Sequence, residues 1–353
     1  MGSHRWYQRL LTFLVIMLIS LLAIGLPSVS KQWQQEPLRV QLRWLPQAQF
    51  AGFYVAKDHE FFQREGLSVS LEPGGPSVNG LQRLRDGEVD VTVAWTSDAL
   101  DVRRHGADLV NVAQLLQRPG TMLVCSAASG VKKAADLQGK RVGTWLLGDE
   151  FDVGHWLQRY GLGLDSVRLI EQAPAARDLL AGKVDCATAM SYNEFQTILQ
   201  AGALQSDLFT VRFAQENSGF LEDGLYVRAS DLKDPVKRDR LERLLRSLAA
   251  GWRYAARHPE EAVAITERYM DSSNTVHQKA MLQEILQLMD LNKGYGLLDP
   301  ASFRRSVAIV GRGSGDPAGI NGAARGAWSL RIWRGSELAG PQRGPLGPAG
   351  REA

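Results

Sequence analysis

The chain has 353 residues, 44% of them hydrophobic, and a formal charge of +3. That is enough for two domains with filled cores, and it excludes a disordered chain. Most of the positive charge lies at the two ends, and residues 38–310 are slightly acidic with no cluster of Lys and Arg, which excludes a nucleic-acid-binding surface.

At the N-terminus, Arg5 and Arg9 precede an uncharged run over 10–26, followed by Pro27 and by Ser28 and Ser30 flanking Val29. This is the order of a secretory signal, with cleavage expected after Ser30. The run also approaches the length that spans a bilayer, so an uncleaved anchor is the alternative. No Cys follows it to carry a lipid. Either way the body of the chain is expected outside the cytoplasm, in the periplasm.

From residue 38, strand-type runs (38–42, 67–71, 89–94) alternate with helical ones (51–65, 78–86), and the alternation restarts at Arg141. Such alternation predicts parallel sheets covered by helices. An internal echo supports two lobes of like topology. Residues 61–67 match 156–162, and Gly87-Glu88-Val89-Asp90 matches Gly182-Lys183-Val184-Asp185, both at an offset of 95. Open α/β sheets bind ligands beyond the carboxyl ends of their strands, so two facing edges would form a cleft. The expected lobes are 38–118 with 222–310, and 119–221.

Cys125 and Cys186 sit in apolar, strand-like runs, where buried free thiols are expected ahead of a disulfide. Two Cys and six scattered His give no metal-ligand spacing, so no metal is expected. Past Tyr226 the pattern turns helical over 235–257, 259–269 and 275–291, and these helices are expected to pack on the first lobe. Residues 311–353 contain eleven Gly and four Pro and are expected to be disordered.

The residues that carry chemistry cluster at predicted strand ends. Trp44 and Gln49 stand in an aromatic and amide-rich turn, and such side chains suit a flat heterocycle. Trp95 and Asp98 open a helix, where Asp98 can serve as its cap or as a ligand contact. Trp145 and Glu150 flank a Gly-containing turn in the second lobe, and Asp149 beside Glu150 would repel a phosphate. The turn Tyr192-Asn193-Glu194 and the hinge-side pair Glu222-Asp223 complete the set. No nucleophile and base stand together, and His155 is the one His in a candidate cleft turn.

The run 42–56, the Gly74-Gly75-Pro76 turn, Leu116-Gln117-Arg118, the Tyr192-Asn193-Glu194 turn and residues 222–226 together resemble the bacterial thiamine-pyrimidine-precursor binding proteins. The broader group includes the eukaryotic hydroxymethylpyrimidine phosphate synthases, and the likeness spans about residues 38–305. The resemblance implies an α/β, type II periplasmic-binding-protein fold with C-terminal helices on lobe 1. It also implies a small heteroaromatic ligand, an aminopyrimidine ahead of riboflavin, and delivery to an ABC-transporter permease by a monomer. By position it makes Trp44, Gln49, Trp95, Asp98, Trp145, Glu150, Tyr192, Asn193, Glu194, Glu222 and Asp223 the candidate contacts. Two departures bear on catalysis. The synthases use a Lys and a His with pyridoxal phosphate where this chain has Ala94 and Asp98, and they have a cysteine cluster where it has Phe220-Leu221-Glu222-Asp223. A binding protein without cofactor is therefore expected rather than an enzyme. A membrane-tethered sensory domain is the alternative. The Gly- and Arg-rich ending departs from the group too, as either a natural extension or a shifted reading frame.

Overall fold

A computed structural model describes residues 36–338, apart from 174–175 and 292–293. The expected export segment at 1–30 and residues 339–353 lie outside the described residues.

The ten strands described are β1 (Leu38–Gln41), β2 (Val69–Glu72), β3 (Val91–Ala94), β4 (Leu109–Gln114), β5 (Thr121–Cys125), β6 (Arg141–Thr144), β7 (Arg168–Glu171), β8 (Cys186–Met190), β9 (Phe209–Arg212) and β10 (Gly224–Arg228). They form two five-stranded sheets, ordered β2-β1-β3-β10-β4 and β7-β6-β8-β5-β9. The two orders are equivalent, so each lobe repeats the topology of the other. Both sheets are mixed rather than parallel throughout. In each, the strand that follows a crossing between the sheets, β5 or β10, runs antiparallel to its neighbours. This is the type II periplasmic-binding-protein fold, two α/β lobes joined by two crossing segments.

The echo in sequence has a structural cause. Asp90 accepts from the Arg39 backbone at 2.9 Å and pairs with its guanidinium, which also donates to the Gly87 carbonyl at 2.9 Å. Asp185 accepts from the Arg141 backbone at 2.8 Å, and Arg141 donates to the Gly182 carbonyl at 3.1 Å. Each Gly-x-Val-Asp thus locks the start of the third strand of its lobe to the start of the first.

The covering helices include α1 (Ala51–Asp58), α2 (Thr96–Arg104), α3 (Asp149–Gln158), α4 (Glu194–Gln200), α5 (Pro235–Arg257), α6 (Thr275–Met289), α7 (Pro300–Gly313), α8 (Pro317–Ala323) and α9 (Arg331–Gly335). Helix α5 starts where Asp234 accepts from the backbones of Val236 and Lys237 ahead of Pro235, and it buries Leu241, Leu244, Leu245, Leu248 and Trp252. It packs on α1 so closely that a Cβ on Gly251 would come within 2.1 Å of the Gly52 carbonyl oxygen. The pair of glycines sets that helix crossing.

Two expectations are corrected. Cys125 and Cys186 form a disulfide, their Cα atoms 3.9 Å apart. The apolar runs around them showed that both are buried but not that β5 and β8 pair with Cys125 directly opposite Cys186. The tail is also not disordered as far as residue 338. Helices α8 and α9 bury Ile320, Ala323 and Ile332, and the stretch between them buries Ala327. Asn111 on edge strand β4 exchanges backbone hydrogen bonds with Ala327 and Ser329 at 2.8 and 2.9 Å, so the tail covers an edge that would otherwise be open. Its Gly and Pro residues serve as punctuation: Pro317 opens α8 behind the Asp316 cap, and Gly315 and Gly326 take positive φ in turns.

Candidate functional site

The chain crosses between the sheets at 115–120 and again at 213–223, and the site is built around these crossings. Glu222, on the second, is fully buried and accepts from the backbone N–H of Gly120 and Thr121, at 2.9 Å each, and from the Thr121 hydroxyl. One crossing is therefore strapped to the other. Burial, reinforced by the Asp223 carboxylate, pushes the Glu222 carboxyl up to about 7.

Asp223 follows at φ +26°, a strained backbone for a residue with a side chain. Its carboxylate accepts from Gln49 Nε2 at 2.6 Å and from Trp95 Nε1 at 3.1 Å, and Gln49 in turn accepts from Gln47 at 2.7 Å. Three separate segments of the first lobe are thereby joined. The Trp95 ring, buried to 6% exposure, is held at its edge by Asp223 and meets Phe220 edge-to-face at 5.9 Å. The Arg43 guanidinium lies over its face, 4.0 Å from the ring centre, and binds Asp98 at 2.6 Å. Asp98 is not a helix cap, since α2 begins after Trp95 without any side-chain cap. Arg43 itself is placed by the turn at Gly74, where a Cβ would come within 2.4 Å of the Arg43 backbone.

The second lobe contributes more carboxylates. At the start of α3, Asp149 accepts from the backbones of Trp145 and Leu147 at 3.0 and 3.3 Å and from the Thr188 hydroxyl, and Glu150 accepts from Gly148 at 3.0 Å. One turn on, Asp152 is fully buried, with one oxygen accepting from the Phe220 backbone at 3.2 Å and the other without a hydrogen-bond partner. Burial, with Glu222 and Asp149 nearby, holds the Asp152 carboxyl well above the usual range, and burial also raises Asp149, Glu150, Glu194 and Asp223. Glu194 opens α4, accepting from the Met190 backbone at 3.0 Å and from Asn193 at 2.8 Å. Asn193 reaches His277 on α6 at 3.0 Å, and Gly148 lies against Ser97, so the walls from the two lobes meet.

Of the residues expected from sequence, Gln49, Trp95 and Asp223 form one hydrogen-bonded cluster, Asp98 joins it only through Arg43, and Glu222 adjoins it as the strap between crossings. Tyr192 is buried with its ring against Gly120. Trp44 and Trp145 are half-buried against the core of the first lobe, outside the hydrogen-bonded set. Sequence reading missed Arg43 and Asp152. The first was visible as a cation just before Trp44, and the second as an acid three residues after Asp149, on the same helix face. A cavity of about 200 Å³ opens beside Arg118, Thr121, Ser191 and Arg212, and none of the expected residues lines it.

The family described as NMT1/THI5 like matches residues 47–262. This chain belongs to that family. Among curated relatives, the NMT1/THI5-like chain is 28% identical to a Haemophilus influenzae protein named for thiamine biosynthesis, over 68% of this chain and 74% of the other. It is 27% identical to the formylaminopyrimidine-binding protein of Halalkalibacterium halodurans, over 31% and 33% of the two chains. A 4-amino-5-hydroxymethyl-2-methylpyrimidine phosphate synthase of Saccharomyces cerevisiae is 24% identical over 41% and 43%. Among solved structures, the periplasmic aliphatic sulphonate binding protein SsuA of Escherichia coli superposes with a TM-score of 0.67 at 14% identity, covering 83% of this chain and 92% of the other. That likeness establishes the fold of the NMT1/THI5-like chain. Among the described residues, no helix is long and apolar enough to cross a membrane.

Proposed function

We propose that the protein is the exported substrate-binding component of an ABC importer, taking an aminopyrimidine precursor of thiamine and handing it to a membrane permease. The observation that carries this reading is the buried Trp95 ring, fixed at its edge by Asp223 and set beside acceptor-only groups. A flat ring stacks on the indole face, and its amino group donates to the Asp98 and Asp223 carboxylates, which would repel an anion. The formylaminopyrimidine-binding relative supports the same ligand class. Catalysis of the synthase kind lacks its groups here: Ala94 offers no amine for a Schiff base, and Phe220 and Leu221 stand in place of cysteines.

Calorimetry on the wild type and on Asp98→Asn tests the reading. Asn keeps the shape and loses the charge, so 4-amino-5-hydroxymethyl-2-methylpyrimidine should bind the variant about tenfold more weakly, the difference expected when a charged acceptor becomes neutral. The melting temperature should change little. Equal affinities would show that the Asp98 charge adds nothing net to pyrimidine binding.

A further inference from the structure

We propose that Arg43 is an internal stand-in for the ligand: its guanidinium holds the Trp95 face and the Asp98 carboxylate that a solute ring would take, and the solute binds by displacing it. The inference rests on the aminopyrimidine reading above and names the residue that sets affinity at that site. A guanidinium is a planar cation with N–H donors in its plane, and it occupies this site in the place proposed for an aminopyrimidine, its central carbon over the indole 4.0 Å from the ring centre and its N–H donating to Asp98 at 2.6 Å. The indole cannot turn away to offer another surface. Its N–H is held by Asp223, which Gln49 holds in turn, and Phe220 packs on it edge-on. Arg43, by contrast, is attached lightly. Its side chain is 20% exposed, that of Asp98 is 31% exposed, and a partly exposed ion pair of this kind is readily exchanged. The positive charge also supports the ionised form of Asp223. A donor-bearing ring arriving at the cluster would pair with Asp98 in its place, whereas a ring without donors would leave Asp98 unpaired. The occupied site thus reduces apparent affinity for every solute and favours those that satisfy the carboxylate.

The test is titration of the full-length wild type, Arg43→Ala and Arg43→Lys with 4-amino-5-hydroxymethyl-2-methylpyrimidine, with benzamidinium chloride as a second probe followed by melting temperature. Removing the competitor should tighten pyrimidine binding by about tenfold in Arg43→Ala. Arg43→Lys should fall between, because an ammonium keeps the charge but not the planar fork; if Arg43→Ala fails to fold, Arg43→Lys carries the same sign. Benzamidinium should raise the melting temperature of Arg43→Ala and leave the wild type unmoved. Weaker pyrimidine binding by the variants would mean that Arg43 holds the solute, and would overturn the inference. If no pyrimidine binds any of the three proteins, the functional reading fails, and the benzamidinium arm still decides on Arg43: stabilisation of Arg43→Ala alone supports displacement, and an equal response of wild type and variant refutes it.

Discussion

Removing residues 315–353 is expected to abolish the cooperative thermal transition of the protein. The deletion strips Ile320 and Ile332, each 1% exposed, from the main core of the first lobe, together with the half-buried Trp328 and Trp333. Each fully buried large side chain contributes about 1.5–3 kcal/mol, so the loss is comparable with the roughly 5–15 kcal/mol by which domains are stable. The deletion also uncovers the β4 edge, and it removes the Ala323 and Arg325 carbonyls that receive Arg103 at 2.7 Å each. A melt followed by circular dichroism checks this against the full chain. The point variant Ile320→Ala should cost about 2–5 kcal/mol on its own. A truncated protein that melts like the full chain would show that these helices add nothing to the core.

The second large effect is at Glu222. Glu222→Ala leaves the Gly120 and Thr121 amides and the Thr121 hydroxyl without their acceptor in a buried site, at a cost of about 1–3 kcal/mol for each orphaned donor. Glu222→Gln keeps one acceptor and should lose much less. The two variants separate the strap from its charge, which makes a specific pH dependence testable. The folded protein raises this carboxyl from the ordinary 4.5 to about 7, so it prefers the protonated form. That contribution is fully present below about 4.5 and is lost as pH rises through about 7. Relative to Glu222→Gln, which cannot titrate, the wild type should therefore gain stability as pH falls from about 8 to about 5. Comparison with the variant cancels the opposite influence of His155 and His277, whose values burial lowers. A constant difference between the two melting curves across that range would mean that Glu222 keeps an ordinary carboxyl value in the fold.

Much of the architecture was legible in the sequence because hydrophobic periodicity and turn residues are local signals. The alternation from residue 38, the restart at Arg141 and the two Gly-x-Val-Asp repeats all correspond to strands in equivalent sheets. What escaped depends on pairing between distant segments. The antiparallel direction of β5 and β10, and with it the disulfide, follows from where the chain crosses between the lobes, which no local pattern records. The tail was misjudged because counts of Gly and Pro do not distinguish punctuation between short helices from a segment with nothing to bury. At the site, residue types pointed to Trp95, Gln49 and Asp223, but not to their mutual bonds. Nor did they show that the Glu222 carboxylate, expected on the ligand, binds the neighbouring crossing. Arg43 went unnoticed because a lone cation at a strand end is most often solvated.

The most direct test of the central claim is a side-by-side calorimetric titration of the full-length protein, at neutral pH, with 4-amino-5-hydroxymethyl-2-methylpyrimidine and with a short alkanesulfonate. The fold is shared with a sulphonate-binding protein, so fold alone does not choose between the two ligands. On the proposed reading, the carboxylates beside Trp95 choose. The Asp98 and Asp223 carboxylates beside Trp95 would repel an anion, whereas a ring amino group donates to them. The account predicts saturable binding of the aminopyrimidine and no measurable heat from the sulfonate. Tight sulfonate binding with no response to the aminopyrimidine would contradict it.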